Sequence, residues 1–432
     1  MSSAEEILPR EVKGKPSTER SRKLRDRYLS EPLILDAEYI YNYMLAHKKT
    51  DGFHLFERRA ECHAFALENL TPKIRDGELL VGSKTRYVRG AIPYCNYASN
   101  WILRAFAKEE QEAQDKVTDL GEGGGIAKGR ELLGSGDFEL FSHKFLVTPV
   151  DQQRIKECAE YFKGKCMQDV GDAFWKSSFS ESNYIEKGWQ AVLYTAPHDP
   201  APEGRFVLDF DAALSTGFNG IIQRLKEKIA QTTITDYRSA EKVYFWRAGI
   251  RVLQATINWA NNYANEAKRL AAEEINPIRK QELNDIGDRC RRVPANPPSN
   301  FLEAMQAFWF IYLAGHIEGS HLGYSPGRFD RYMYPFYKAD ALISDAEVLE
   351  LLELLRVKMT EIEYVASFSW EGLGSGNLFQ NMMLGGTDEN GRPADNELSM
   401  LILQAAINCQ TIQPTLSIWY DDSLSDEFLL KA

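Results

Sequence analysis

Between Pro297-Pro298 and Gly319 runs the segment FLEAMQAFWFIYLAGHIE, whose apolar side chains fall on every side of a helix instead of along one stripe. Asn300 and Glu303 occupy N-cap and N3 positions ahead of it, so the pattern predicts a helix over 300–317 buried on nearly all sides. Such a helix has to be wrapped by other elements, and only a long chain supplies them. At 432 residues the chain is long enough, since the fraction of surface buried rises with length. No internal repeat or low-complexity tract divides it. One domain over 28–432 is expected, behind a basic, polar tail over 1–27.

Helical spacing dominates elsewhere. A helix is expected over 105–120, stopped by the glycine cluster at 121–125. Another spans 243–270, with Tyr244, Phe245, Trp246, Trp259 and Tyr263 burying a large area. Ser344 and Glu347 form a capping box ahead of the leucines at 349, 351, 352, 354 and 355. The last part changes character. A short apolar run over 380–384 ends at Gly385-Gly386, a helix follows over 395–409, and 415–420 alternates with period two in β-branched and aromatic residues. Strand, helix, strand implies a right-handed crossover and parallel pairing. The fold class expected is α/β, predominantly helical. A further helix starts at Ser425 and is still running at Ala432, which reads as a truncation.

Charge narrows the partners. A formal net charge of -11 repels phosphate backbones and anionic lipid, which argues against nucleic acid and membrane surfaces. The N-terminus lacks the apolar stretch of a signal peptide, and no run reaches the roughly 18 apolar residues of a transmembrane helix. The cytoplasm is the expected location. Six scattered cysteines, Cys62, Cys95, Cys158, Cys166, Cys290 and Cys409, have no CxxC spacing and read as reduced, mostly buried thiols.

Several features invite a chemical reading. His316, Glu318 and His321 are not spaced for one helical face, and Gly315, Gly319 and Gly323 suggest that the helix breaks there, so no metal site is expected. The glycine cluster at 121–125 follows a helix and lacks a Gly-Lys-Ser/Thr ending, which makes it a helix cap and loop and not a phosphate cradle. Arg205 precedes an alternating stretch over 206–210. Buried, its guanidinium would pair with a substrate carboxylate through two parallel hydrogen bonds; on the surface it would pair with Asp209 or Glu203. Ser375-Gly376-Asn377-Leu378-Phe379-Gln380 enters what reads as the first clear strand, where Phe379 either faces a cavity or belongs to the core. Tyr324-Ser325-Pro326-Gly327-Arg328-Phe329-Asp330 reads as a rigid aromatic turn with an internal ion pair between Arg328 and Asp330.

That last motif, with the Tyr334-Pro335 step after it, resembles a signature of the pyruvate formate-lyase-like glycyl radical enzymes. Asp76-Gly77-Glu78-Leu79-Leu80-Val81-Gly82 and Leu384-Gly385-Gly386-Thr387-Asp388 agree with it. Within the family, Lys84-Thr85-Arg86-Tyr87-Val88-Arg89-Gly90, Pro202-Glu203-Gly204-Arg205, Ser375-Gly376-Asn377 and Cys409-Gln410-Thr411-Ile412-Gln413-Pro414 are similar to the arylacetate decarboxylases that form p-cresol, toluene or skatole. The resemblance implies the N-terminal half of a ten-stranded α/β barrel, a five-stranded parallel half-barrel wrapped by helices. It places the catalytic Cys loop and the radical glycine beyond Ala432, leaving no catalytic residue in this chain.

By the same resemblance Arg205 sits near the substrate carboxylate, and Phe379, Leu322, Gly323 and Tyr194 line the pocket. Leu322 cannot donate a hydrogen bond where relatives carry polar residues, which favours an apolar aryl group. The implied reaction is decarboxylation of a small aromatic carboxylic acid to a methyl arene. A separate S-adenosylmethionine and iron-sulfur activating enzyme would install the glycyl radical, the chain itself binding no cofactor, and the full-length protein would be a homodimer. Diol dehydration, carbon-carbon lysis of the formate C-acetyltransferase kind and addition to fumarate stay open within the family. An inactive product acting only as a binding partner is the reading from another class.

Overall fold

The helix Phe301–Glu318 runs through the middle of the molecule, with Ala304 to Ala314 in unbroken burial and Phe301, His316 and Ile317 buried beside them. Asn300 caps it by accepting from the Glu303 amide at 2.8 Å. The reciprocal half of the expected box is displaced by one residue: the Glu303 carboxylate takes the Ser299 amide at 2.7 Å and the Arg292 guanidinium at 2.8 Å. Each fully buried aromatic here contributes about 1.5–3 kcal/mol relative to exposure, and Phe308, Trp309, Phe310 and Tyr312 are all buried within little more than one turn.

The computed structural model describes residues 14–97, 99, 145–178, 205–319, 323–365, 375–376 and 380–432. The expected helix over 105–120 and the glycine cluster at 121–125 lie outside them. In the first half of the chain the elements are α1 (Glu19–Ser30), β1 (Leu33–Leu35), α2 (Glu38–Lys49), α3 (Leu55–Glu68), β2 (Arg89–Ala91), β3 (Leu146–Val147), α4 (Pro149–Phe162), α5 (Met167–Ser178) and β4 (Arg205–Phe206). The second half adds α6 (Phe210–Gln231), α7 (Tyr237–Glu273), α8 (Pro277–Arg292), the central α9 (Phe301–Glu318), β5 (Gly323–Tyr324), α10 (Phe329–Ala339), α11 (Asp345–Thr360), β6 (Tyr364–Val365), β7 (Ser375–Gly376), β8 (Asn381–Gly385), α12 (Glu397–Cys409), β9 (Thr415–Trp419) and α13 (Asp426–Lys431).

The strands are short and nearly all parallel. β1 lies between β2 and β3, and Gly90 of β2 bridges Ile362 in parallel. A second ribbon begins with β4 beside β5; Gly327 then bridges Met382 of β8, and β8 pairs with β9 over Asn381↔Thr415 to Gly385↔Trp419. The strand–helix–strand crossover read from 380–420 is present as β8–α12–β9. Among the described residues β6 with β7 is the antiparallel strand pair, and Thr387 bridges Pro393 in the same sense.

Some expectations are corrected. β8 is not the first strand: β1 to β7 precede it, each of two or three residues, too short to show a period. The stretch 206–210 is strand only through Phe206, because Asp209 caps α6 by accepting from the Ala212 amide at 3.1 Å. Residues read as the end of a polar tail are helical and docked. Leu24, Arg25 and Tyr28 of α1 are buried, while Ser17 donates to Glu353 and Thr18 to Glu350. In α7, Trp259 and Tyr263 are buried as expected, but Phe245 is 60% exposed. Tyr244 stacks on His54 at 4.1 Å instead of entering the core.

Helix α9 ends at Glu318 with Gly319 as its cap, inside the region where a break is expected, and it runs unbroken through Gly315. That glycine is a point of close approach: a Cβ there would overlap the Tyr324 hydroxyl, and the helix continues to Glu318. Arg328 and Asp330 do not pair with each other. The Arg328 guanidinium donates to Thr387 O at 2.8 Å and Gly385 O at 2.7 Å and lies 4.7 Å over the Trp419 ring. Asp330 Oδ2 accepts from Gly385 N at 3.0 Å and Ser399 Oγ at 2.8 Å. Both side chains thus tie the turn at 325–330 to the end of β8, and Asp330 ties it also to the first turn of α12.

Burial raises the Asp330 carboxyl to about 6, against the two hydrogen bonds and the Arg328 and Arg331 charges that hold it down. Its folded value exceeds the unfolded one near 4, so the protonated acid is the form the fold prefers. Stability is therefore expected to fall as pH rises from about 4 to 6, by about 3 kcal/mol in total. Asp330→Asn should flatten that slope in urea titrations at successive pH values. An unchanged slope would show that Asp330 is ionised without penalty.

Candidate active site

The strand pairing brings two of the expected residues together. Arg205 of β4 stands directly opposite Gly323 of β5, and Phe206 opposite Tyr324. Residues 118 positions apart in the chain thus become neighbours on one parallel ribbon. Leu322, Phe379 and Tyr194, like His321, lie outside the described residues. Gly323 is buried.

Behind this ribbon is a polar clamp. Tyr324 is fully buried, and the Tyr312 hydroxyl of α9 lies 2.6 Å from its carbonyl and 2.8 Å from Gln380 Oε1. One hydroxyl hydrogen serves both acceptors. Gln380 Nε2 donates to Met359 O at 2.8 Å, and the Gln380 amide donates to Gln413 Oε1 at 3.3 Å. The residue next to Phe379 is thus held to α9, to the end of α11 and to the loop before β9. Asn381 continues the pattern, its amide donating to Ser325 Oγ and its Oδ1 accepting from Ser417 Oγ at 2.8 Å. Buried polar groups are satisfied here without a net charge.

Charged groups that the sequence reading left unassigned gather beside β2 and Ile362. Lys358 Nζ, at the end of the leucine-rich α11, is 2.9 Å from Glu78 Oε1 and 3.1 Å from Glu361 Oε2, all three buried. The neighbouring Lys84 donates to Glu363 O at 3.1 Å, while Arg89 and Tyr28 donate to the Glu363 carboxylate at 3.0 and 3.2 Å. Burial pushes Lys84 down to about 8, the Glu363 charge resisting it. Ser83, Lys84, Thr85, Trp309, Lys358 and Glu361 line a small cavity between the two groups. At the end of β1, Asp36 takes Arg86 at 2.8 Å, and the same guanidinium reaches Asp151 at 2.8 Å. The one signal available was polar residues inside otherwise apolar elements, and their partners are too distant in the chain to infer.

Among the described residues no cluster of three His, Cys, Asp or Glu side chains could hold a metal ion. The six cysteines are buried and unlinked. None of the described helices is long and apolar enough to cross a membrane.

Short, nearly all parallel ribbons around a buried helix fit one half of an α/β barrel, the fold class of the glycyl radical enzymes. Solved barrels of that class superpose on the chain. The B12-independent glycerol dehydratase from Clostridium butyricum, glycerol-bound, matches with a TM-score of 0.80 and 27% identity over 97% of this chain and 49% of its own. A 1,2-propanediol-dehydrating protein of Roseburia inulinivorans matches at 0.82 and 25%, with the same coverage. The chain belongs to the pyruvate formate lyase-like family, whose model matches residues 15–432. Indoleacetate decarboxylase of Tractidigestivibacter scatoligenes is 36% identical over 438 residues, 99% of this chain and 49% of the relative. The 4-hydroxyphenylacetate decarboxylase glycyl radical subunit of Clostridioides difficile is 31% identical over 98% of this chain and 48% of the relative. The chain spans about half the length of the relatives it matches.

Proposed function

We propose that this chain forms the substrate-holding half of a glycyl radical decarboxylase acting on an arylacetate with an apolar ring. The observation that carries the reading is the 36% identity to indoleacetate decarboxylase across 99% of the chain. The Arg205–Gly323 pairing supports it, because it puts an arginine and the glycine of the expected pocket on one ribbon. Arg205 would orient the carboxylate bidentately; Phe379, Leu322 and Tyr194 would enclose the ring, and Gly323 would leave it room. The radical is supplied from outside residues 1–432, after activation by a separate S-adenosylmethionine and iron-sulfur enzyme. What these residues contribute is orientation and exclusion of water.

Dehydration of a diol is the second reading, favoured by the glycerol and propanediol dehydratase structures that superpose on the chain. The protein encoded by the full reading frame, activated anaerobically and offered indoleacetate, phenylacetate, 4-hydroxyphenylacetate and glycerol, separates the two. A methyl arene with carbon dioxide is the expected product. Aldehyde from glycerol, with no methyl arene, would replace the proposal by the second reading.

A further inference from the structure

Buried tyrosines and histidines cluster between α2, α3 and α9 in a way that packing does not require. Tyr39 Oη lies 2.8 Å from His63 Nδ1, with Tyr39 1% and His63 2% exposed. A phenylalanine and a leucine would fill this space without desolvating a phenol and an imidazole, and replacing both partners of a buried hydrogen bond by apolar groups is often close to neutral. The pair is also not isolated. The Tyr39 ring is 6.0 Å from Tyr94 and 6.1 Å from Tyr43.

Outward, Tyr43 stacks on His47 at 6.4 Å, and His47 is 5.7 Å from the ring of Tyr161, with Nδ1 3.0 Å from the Tyr161 hydroxyl. Tyr161 is partly exposed, and Lys165 stands 3.9 Å over its ring. Inward, the Tyr94 hydroxyl donates to Ile317 O at 3.0 Å. The adjacent His316 ring is 4.6 Å from that of Tyr324, the residue after Gly323. Aromatic rings therefore lead from Tyr324 towards the surface, joined at Tyr94 through the Ile317 carbonyl, with two hydrogen-bonded bases along the way, His63 and His47.

We propose that Tyr39 and His63 are a one-electron oxidation site, and that the ring ladder through Tyr43 and His47 to Tyr161 carries the oxidising equivalent of a stray radical out to solvent. The inference rests on the radical reading of the protein for its natural oxidant and on geometry for the rest. A thiyl or peroxyl radical near Tyr324 takes one electron through Tyr94 from the Tyr39 phenol and becomes a thiolate or hydroperoxide anion. The Tyr39 O–H bond breaks, its proton passes to His63 Nδ1, and a neutral tyrosyl radical remains. Burial holds the His63 imidazole neutral by pushing its pKa down, so Nδ1 is free to accept. An electron from Tyr161, moving through His47 and Tyr43, restores Tyr39, which recovers its proton from His63. Tyr161 loses its own proton to water, and a soluble thiol reduces it by hydrogen-atom transfer.

The test needs neither substrate nor glycyl radical, so its failure leaves the decarboxylase reading standing. The 432-residue chain is oxidised by flash-quenched ruthenium tris-bipyridine, and tyrosyl radicals are followed by electron paramagnetic resonance. A hydrogen-bonded tyrosyl signal that outlives those of exposed tyrosines is expected, and Tyr39→Phe should abolish it. His63→Gln should slow its formation at least roughly tenfold by removing the proton acceptor. Tyr161→Phe, at a partly exposed position that cannot unfold the core, should delay the signal without removing it. A long-lived signal of unchanged size in Tyr39→Phe, or one indifferent to both His63→Gln and Tyr161→Phe, would overturn the proposal.

Discussion

Lys358→Met is expected to lower the unfolding free energy by about 3–5 kcal/mol, because it strips the cation from a closed cluster and leaves carboxylates buried without it. Lys358 is 3%, Glu78 1% and Glu361 7% exposed, with both carboxylates within 3.1 Å of Nζ. Nearby opposite charges hold Glu78 below and Lys358 above their usual ranges despite burial, which means both are charged in the fold. The signs follow directly. A depressed carboxyl contributes stability above its unfolded pKa near 4.3 and loses it as pH falls further; a raised lysine contributes below about 10.4 and loses it as pH rises. The cluster's own contribution is therefore flat between those limits, and the loss due to Asp330 between about pH 4 and 6 is superposed on it. Glu78→Gln should cost less than Lys358→Met, since Lys358 keeps Glu361 and Arg75 loses only one partner, 3.5 Å away. Urea denaturation measures all three proteins. A loss below about 1 kcal/mol for Lys358→Met would mean that water already reaches the cluster.

Arg205→Gln in the activated full-length protein is expected to reduce kcat/KM for an arylacetate by roughly a hundredfold, equivalent to about 3 kcal/mol, through loss of the charge that orients the carboxylate. Arg205→Lys should recover only part of it, because an ammonium cannot match a carboxylate bidentately. The radical content measured by electron paramagnetic resonance should not change in either variant, which separates substrate orientation from damage to the barrel. Unchanged kinetics in Arg205→Gln would remove the carboxylate anchor from the proposal.

Helices were legible where they are long and carry their own caps. The Ser344 and Glu347 box forms as read, and the all-round apolar pattern over 300–317 correctly implies a central helix. The β8–α12–β9 unit was legible too, since five-residue strands show alternation or an apolar run. The turn at 325–330 was legible as a rigid feature but not in its bonding. Arg328 and Asp330 stand two apart in the chain, yet each finds its partners across the fold, at Gly385, Thr387 and Ser399. The helix end among Gly315, Gly319 and Gly323 was legible, at Gly319, but not the close approach at Gly315, because the sequence gives no hint that Tyr324 folds back onto it.

Sequence alone determined the helices over 243–270, 300–317 and 395–409 and the one behind the Ser344 box, that the late strands pair in parallel, and that a chain with this motif set resembles glycyl radical enzymes, because periodicity, capping and short motifs are local properties. Tertiary structure alone decided that Arg205 faces Gly323 and that Lys358 meets Glu78 across 280 residues of chain. Strands of two residues have no period to read, and a buried charge names its counter-ion only when the fold brings the two into the same dry space.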